Sequence, residues 1–305
     1  MNKVVILGAN GYIGSRLSLT LAERGYNVVA LVDKRFNYSH LSEKENLQVV
    51  EFQLENLNSL YDNPHLKGVD LLFNMAWSAV NATLRNEAEE QVKNIMFGLH
   101  VLQLAEYFGI KRVIVPGSAA EVSCGDCVIT GKEIPAPSDM YSSAKVALRF
   151  ICQTYARQHK IDLVWTLITS IYGPGRDDNN LITYAIKTLI CGEKPSFTGL
   201  EQKWDYLYID DLITALIILG EHGKGGEIYP IGSGECKTLR EYVELIRDII
   251  NPELLLGIGD LPYKSPNHID NQILDISGIA SLGFIPKYNF ETGIRKVIDY
   301  IKDIM

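Results

Sequence analysis

Four consecutive apolar residues, Val4 to Leu7, run straight into a glycine-rich turn, and the chain then repeats this alternation of apolar run and break. Ser15 to Arg24 carries Leu17, Leu19 and Leu21 and predicts a helix that Gly25 ends. Val28 to Val32 is a second continuous apolar run, residues 47–52 a third and Val69 to Met75 a fourth. Gln91 to Phe108 predicts a long helix closed by Gly109, Arg112 to Val115 a fifth strand, residues 140–158 another helix and Leu163 to Ile168 a sixth strand. Strands that are apolar throughout, alternating with helices, predict a parallel sheet buried on both faces, and right-handed crossovers make such a sheet doubly wound.

Beyond Gly173 the pattern loosens, with many Gly, Pro, Asp and Asn residues, and its later signals are Tyr206 to Ile209, Glu227 to Ile231 and Leu239 to Ile250. The expected fold is α/β: a doubly wound parallel sheet of the Rossmann type with a smaller C-terminal substrate-binding lobe. The sheet takes residues 1–170, rejoined by 205–232. The lobe takes 171–204 and 233–305, over the carboxyl edge where open α/β sheets bind ligands.

The chain has 305 residues, 47% of them hydrophobic, enough for a sizeable core. A net charge of −8 without a polybasic run argues against a nucleic-acid partner. No apolar stretch approaches the length of a membrane span, and Val4 to Leu7 is too short for a signal-peptide core, so a cytoplasmic protein without a membrane partner is expected. Five cysteines, an odd number, do not suggest a disulfide framework.

The turn Gly8-Ala9-Asn10-Gly11-Tyr12-Ile13-Gly14 lies between a predicted strand and a predicted helix, the context in which three glycines point to a dinucleotide. Gly8 permits the tight turn, Gly11 lets backbone approach a pyrophosphate, and Gly14 allows close helix–strand packing. The helix N-terminus offers free N–H groups to the phosphates. Asp33 ends the second strand, 19 residues after Gly14, where a carboxylate accepts hydrogen bonds from ribose hydroxyls and repels a 2′-phosphate. That favours NAD. Lys34 and Arg35 beside it keep NADP open, unless both are solvated loop charges.

Tyr141 and Lys145 stand four residues apart on the predicted helix and share a face. A nearby ammonium lowers a phenol's pKa, which suits Tyr141 to exchange a proton with a hydroxyl/carbonyl pair while hydride moves on the cofactor. Ser118, after the fifth strand, is placed to polarise the same oxygen.

With these residues the chain resembles extended short-chain dehydrogenases of the NAD-dependent epimerase/dehydratase group, which act mainly on nucleotide sugars. The resemblance covers Gly8 to Gly14, Asp33, Ala76, Asn94, Ser118, Tyr141 and Lys145. It continues through Tyr172-Gly173-Pro174-Gly175, Asp205 to Asp211, Gly232-Ser233-Gly234 and Leu282 to Lys287. It implies Ser118, Tyr141 and Lys145 as the catalytic set, with Lys145 also holding the nicotinamide ribose. It further implies that Gln53 and Leu54 flank the adenine, that Met75, Ala76 and Trp77 line the cofactor, and that Asn94 anchors the supporting helix. Asn10, Tyr12, Ile13 and Lys34 complete the expected cofactor contacts. A homodimer, formed through the helices that contain Asn94 and Tyr141, follows from the resemblance alone.

Dehydratases of that group carry Thr-Asp-Glu after strand five. Here the matching residues are Ser118-Ala119-Ala120, with Glu121 one position too late, so elimination of water is not expected. Carbonyl reduction of a nucleotide-linked 4-ketosugar is the leading expectation. C4 epimerisation with tightly bound NAD is the alternative, and a catalytically silent dinucleotide sensor is a third reading that the intact Ser118, Tyr141 and Lys145 set disfavours. Leu167, Ser170 and Trp204 replace the Arg, Asn and Arg that the group places against its substrate. Ser78, Ser118, Ser170, Arg176, Lys203 and Trp204 are the expected substrate contacts, with Lys264 a further cation nearby. Arg85, Glu87 and Gln91 read most simply as a solvated helix face. Cys124 and Cys127 form one CxxC pair without a second ligand pair, hence ordinary loop cysteines and no metal site.

Overall fold

A computed structural model of the chain describes residues 2–39, 41, 44–80, 84–122, 125, 127–176, 180–263 and 271–305. Its centre is a seven-stranded parallel sheet. The first five strands are β1 (Lys3–Leu7), β2 (Asn27–Asp33), β3 (Leu47–Phe52), β4 (Leu71–Asn74) and β5 (Arg112–Ser118). Asp162–Ile168 and Ile228–Ile231 complete it. Across the sheet the order runs Ile228–Ile231, Asp162–Ile168, β5, β4, β1, β2, β3. The strand order reverses at β1, whose Leu7 is in register with Leu31 on one side and Asn74 on the other. The glycine turn thus emerges at the switch point, at the carboxyl edge where a crevice opens.

Strand residues alternate between two buried layers. Val4, Ile6, Val28, Ala30, Leu71, Phe73 and Ile114 face one side. Val5, Leu7, Val29, Leu31, Leu72, Val113 and Val115 face the other. Both faces being covered explains why the strands read as unbroken apolar runs. Helices α1 (Tyr12–Glu23), α2 (Ala88–Tyr107) and α3 (Met140–His159) follow the expected positions. α1 and α2 start three residues before the expected Ser15 and Gln91: α1 begins within the glycine turn at Tyr12, and α2 with Ala88, Glu89 and Glu90, an acidic first turn without an apolar stripe.

Beyond residue 173 the structure is more regular than the sequence suggests. It adds α4 (Leu181–Ile190), α5 (Ile209–His222), α6 (Leu239–Ile250) and a C-terminal helix, Phe290–Ile304. Of these only α6 is marked by the pattern as read above. α5 buries Ile209, Leu212, Ile213, Leu216 and Leu219 together with Ala215 and Ile217 around its circumference, so no one-sided stripe announces it. Tyr172, Tyr206, Tyr242 and Phe290 pack ring on ring between the short strand segments and the C-terminal helix. Two acids tie the later segments together. Asp205 accepts from Ser233 N–H at 2.8 Å and Gly234 N–H at 3.2 Å, and Asp211 accepts from the N–H groups of Lys287 and Tyr288, both at 3.0 Å.

Candidate active site

The glycine turn is built of close-packed backbone. A Cβ on Gly14 would stand 2.2 Å from the Gly8 carbonyl oxygen, and one on Gly8, at φ +74°, would stand 2.8 Å from the Ala76 backbone. No side chain caps α1 after Gly11, and no acid occupies its first turn. Its leading N–H groups therefore point at open crevice, as anion binding at a helix start requires. The Asn10 side chain ties the turn to the end of β2, donating to the Asp33 carbonyl oxygen at 3.1 Å.

A cleft of about 250 Å³ runs from this turn, lined by Gly8, Asn10, Gly11, Asp33, Phe36, Phe52, Leu54, Met75, Ala76 and Trp77. Glycine backbone and a helix start, a carboxylate tied beside them by Asn10 and apolar walls are the chemistry a dinucleotide needs. Of the expected contacts, Tyr12, Ile13, Gly14, Lys34, Gln53, Asn94, Tyr141 and Lys145 are not among the residues that line this cleft. Ile13 packs against the core. The Tyr12 hydroxyl is buried without a hydrogen-bond partner among the described residues, near Gly173. Phe36, exposed at the cleft wall, was not marked by the sequence; an aromatic residue just after Asp33 is the signal that could have found it. Arg35 is no solvated loop charge. Its Nε lies 2.9 Å from Asp33 Oδ1 and its Nη2 2.5 Å from Oδ2, a two-pronged grip that holds the carboxyl below the usual carboxylate range.

Tyr141, Lys145 and Ser118 meet at the carboxyl end of β5. Asp139 caps α3, exchanging hydrogen bonds with Ser142, and so fixes the first turn that carries Tyr141. The Ser118 side chain is close enough to the Tyr141 hydroxyl to favour its ionised form, against the larger upward push of burial. The Tyr141 ring meets Trp77 edge to face at 5.8 Å. The phenol therefore spans the distance between Trp77, in the cleft wall, and Ser118, in the wall of a second cavity. Lys145 is buried, donates to the Pro116 carbonyl oxygen at 2.8 Å and lies 3.6 Å above the Trp77 ring. Burial pushes its ammonium down, with Glu121 opposing. The expected lowering of the phenol by Lys145 is corrected here. Burial pushes Tyr141 up, and the lysine nitrogen stands 5.7 Å from the ring centre, turned to Trp77 and Pro116.

The second cavity, about 260 Å³, is lined by Arg85, Ser118, Ala120, Val122, Ser138, Ile168, Thr169, Ser170, Trp204, Asn271 and Gln272. Trp204 Nε1 donates to Ser170 Oγ at 2.8 Å, which fixes the indole as a wall. Of the expected substrate contacts, Ser118, Ser170 and Trp204 come together here. Ser78 is drawn away by Asn94, whose side chain bonds its N–H, hydroxyl and carbonyl. Arg176 donates to the Ile171 carbonyl oxygen, and Lys203 is exposed on a short strand, so neither lines this cavity. Lys264 lies outside the described residues.

Glu121 and Arg85 have roles that the spacing did not reveal. Glu121 turns away from the cavity and is fully buried. Its Oε1 accepts from Ser118 N–H at 3.0 Å and Trp165 Nε1 at 3.2 Å, and its Oε2 lies 3.3 Å from Arg149 Nη1. A capping box, Ser118 to Glu121, would have signalled it. Arg85, about a third exposed, lies against the Tyr141 ring, and Gln91, expected on a solvated face, is fully buried and accepts from Trp77 Nε1 at 3.1 Å. Cys127 is disulfide-bonded, which corrects the expectation that it is an ordinary loop cysteine. Cys124 is itself outside the described residues. Among those residues no group of three or more His, Cys, Asp or Glu could hold a metal ion, and no helix is long and apolar enough to cross a membrane.

A switch-point cleft shaped for a dinucleotide, with a Ser/Tyr/Lys set at its inner end, defines an enzyme of the dinucleotide-dependent short-chain dehydrogenase class. The chain belongs to the NAD dependent epimerase/dehydratase family, whose model matches residues 4–232. It is 25% identical to the dTDP-4-dehydro-6-deoxyglucose reductase of Escherichia coli, over 99% of this chain and 98% of that protein. It is 24% identical to GDP-L-fucose synthase 1 of Arabidopsis thaliana, over 99% and 94%. Its fold matches the crystal structure of UDP-glucose 4-epimerase from Thermotoga maritima with a TM-score of 0.88 at 21% identity, over 99% of each chain. NAD is the cofactor of the family, and the relatives are nucleotide-sugar reductases, dehydratases and epimerases.

Proposed function

We propose that this enzyme reduces a nucleotide-linked 4-ketosugar, using NAD(P)H and Tyr141 as the proton donor. The observation that carries the reading is the position of Tyr141, with its ring against Trp77 in the wall of the dinucleotide cleft and Ser118, in the wall of the second cavity, among the groups that act on its hydroxyl. Bound cofactor supplies the hydride. Ser118 hydrogen-bonds the substrate's carbonyl oxygen, and Tyr141 delivers a proton to it. Lys145, on the same helix face, holds the cofactor's ribose. Asp33 takes the adenosine ribose, and Phe36 and Leu54 cover the adenine.

No carboxylate lines the cavity among the described residues, and Ala119 and Ala120 stand where dehydratases place two acids, so reduction fits better than elimination. The end-to-end match to a relative named as a reductase supports the same reading. C4 epimerisation is the second reading, favoured by fold neighbours whose structures hold UDP-sugars and NAD. The two differ in stoichiometry. Reduction consumes one reduced cofactor per product, and the proposal expects the absorbance of reduced nicotinamide to fall with turnover. Protein that purifies with non-dialysable NAD and forms epimer at constant absorbance would overturn it.

In this reading residues 1–170 and 205–232 carry the cofactor, and 171–204 with 233–305 carry the substrate. The proposed assembly is a homodimer. Val92 and Met96 on α2 and Phe150 and Ile151 on α3 are exposed apolar residues on two helices that pack side by side. A cytoplasmic location goes with this substrate class.

A further inference from the structure

The segment after β4 brings a single charge into the wall of the substrate cavity. Among the described lining residues, only Arg85 carries one. Its Nε donates to the Asp139 carboxylate, and its guanidinium carbon lies 4.3 Å from the centre of the Tyr141 ring. Asp139 is also the N-cap of α3, two residues before Tyr141. The carboxylate that starts the helix therefore anchors the cation that lies on the ring.

Two uses of such an arginine can be weighed. A receptor for an anionic group on the substrate would hold an uncompensated fork open to the cavity. Here the charge is already paired with Asp139 and the guanidinium is placed over the phenol. The other use is to stabilise negative charge on Tyr141. A cation above an aromatic face is attracted by the ring's quadrupole, and far more strongly once the ring carries a full negative charge. Lys145 is less well placed for this, at 5.7 Å from the ring centre with its ammonium given to Pro116.

We propose that Arg85, anchored by Asp139, is a positioning residue for the reaction: it holds the Tyr141 ring and stabilises the phenolate left when Tyr141 gives up its proton. The inference rests on Tyr141 being the proton donor. In reduction the O–H bond of Tyr141 breaks and its proton joins the substrate's carbonyl oxygen as hydride from the reduced nicotinamide joins the carbonyl carbon. The phenolate then recovers a proton from solvent. The charged groups around Tyr141 are Arg85 from the segment after β4, Glu121 from the turn after β5, and Asp139 and Lys145 from its own helix. Burial is the largest influence and pushes the phenol up. Arg85 is the strongest opposing one, ahead of Ser118, and Glu121 and Asp139 add smaller upward pushes.

The test uses full-length, NAD-loaded protein with carbon-13 at the oxygen-bearing ring carbon of tyrosine. The Tyr141 resonance is identified by its loss in Tyr141→Phe. Titration should show Tyr141 ionising higher by about half a unit or more in Arg85→Met and Arg85→Gln, with Arg85→Lys closer to the parent. The same titration midpoint in Arg85→Met, Arg85→Gln and the parent would overturn the proposal, and so would a parent phenol that stays protonated up to the alkaline limit of folding. Equilibrium dialysis of NAD on the same samples separates the two claims. A parent that fails to bind NAD defeats the functional reading, whereas bound NAD with an unmoved titration defeats the role of Arg85 alone.

Discussion

At the level of single residues, Asp33 is the side chain proposed to take part in both cofactor binding and stability. Its carboxylate is buried at the end of β2, gripped by Arg35, and lines the dinucleotide cleft. The hydrogen bonds from Arg35 hold its pKa below the ordinary carboxylate value, with burial opposing. A carboxyl lowered on folding contributes stability that is fully present above its unfolded pKa of about 3.9 and is lost as pH falls through the folded value. Asp33→Asn should therefore lower the melting temperature at neutral pH and flatten its fall below about pH 4, so that parent and variant converge in acid. The same variant should lose preference for NAD over NADP, since the group that repels a 2′-phosphate is gone. Thermal melts across the acid range and competition between the two cofactors check both halves. A profile parallel to the parent would contradict the first, and an unchanged preference the second.

Between elements, the buried Glu121–Arg149 pair joins the turn after β5 to α3. Both side chains are almost fully buried, and Glu121 also receives Ser118 N–H and Trp165 Nε1. Gly117 makes room for this: a Cβ there would stand 2.2 Å from the Trp165 ring nitrogen and 2.3 Å from Glu121 Oε1. Glu121→Gln leaves Arg149 charged and unpaired in the interior, and should cost about 3–5 kcal/mol in urea unfolding. Removing both charges with Glu121→Gln/Arg149→Met should recover part of that loss, because neither charge is then stranded. A double variant no more stable than Glu121→Gln would show that the pair is not what Glu121 supports. This device also marks the limit of what the sequence shows. Strands β1 to β5 and the glycine turn are legible because each depends on neighbouring residues: an apolar run, a break, a turn residue. Arg85 reaches Asp139 across 54 positions and Trp165 reaches Glu121 across 44, and no local spacing encodes such meetings. The C-terminal helix is a different case, since Phe290, Ile294, Val297, Ile298 and Ile301 do form one stripe after the Asn289 cap. That pattern was present but masked by the Gly- and Pro-rich residues before it.

At the scale of the whole molecule, the carboxyl edge of the sheet places two hollows on either side of Tyr141. That Gly8, Gly11 and Asp33 would share one hollow, and that Ser118, Tyr141 and Lys145 would come together beside it, was legible from their spacing along the predicted elements. The substrate side was not, because its walls come from separate segments around Ser138, Ser170, Trp204 and Asn271. Assembly belongs to this scale as well. If α2 and α3 form the dimer face, Phe150→Glu should convert a particle of twice the 34.1 kDa chain mass into one of chain mass, read by light scattering after gel filtration. A parent already at chain mass would contradict the dimer.

The central claim is that Tyr141 delivers a proton while the cofactor's hydride passes to a nucleotide sugar. Its most direct test supplies NADH deuterated at the transferred position together with a nucleotide-linked 4-ketosugar, and weighs the product by mass spectrometry. The parent should place one deuterium in each product molecule. Tyr141→Phe should bind NADH as the parent does but form labelled product about 10²–10⁴-fold more slowly. Product without deuterium, or labelled product formed as fast by Tyr141→Phe as by the parent, would contradict the account.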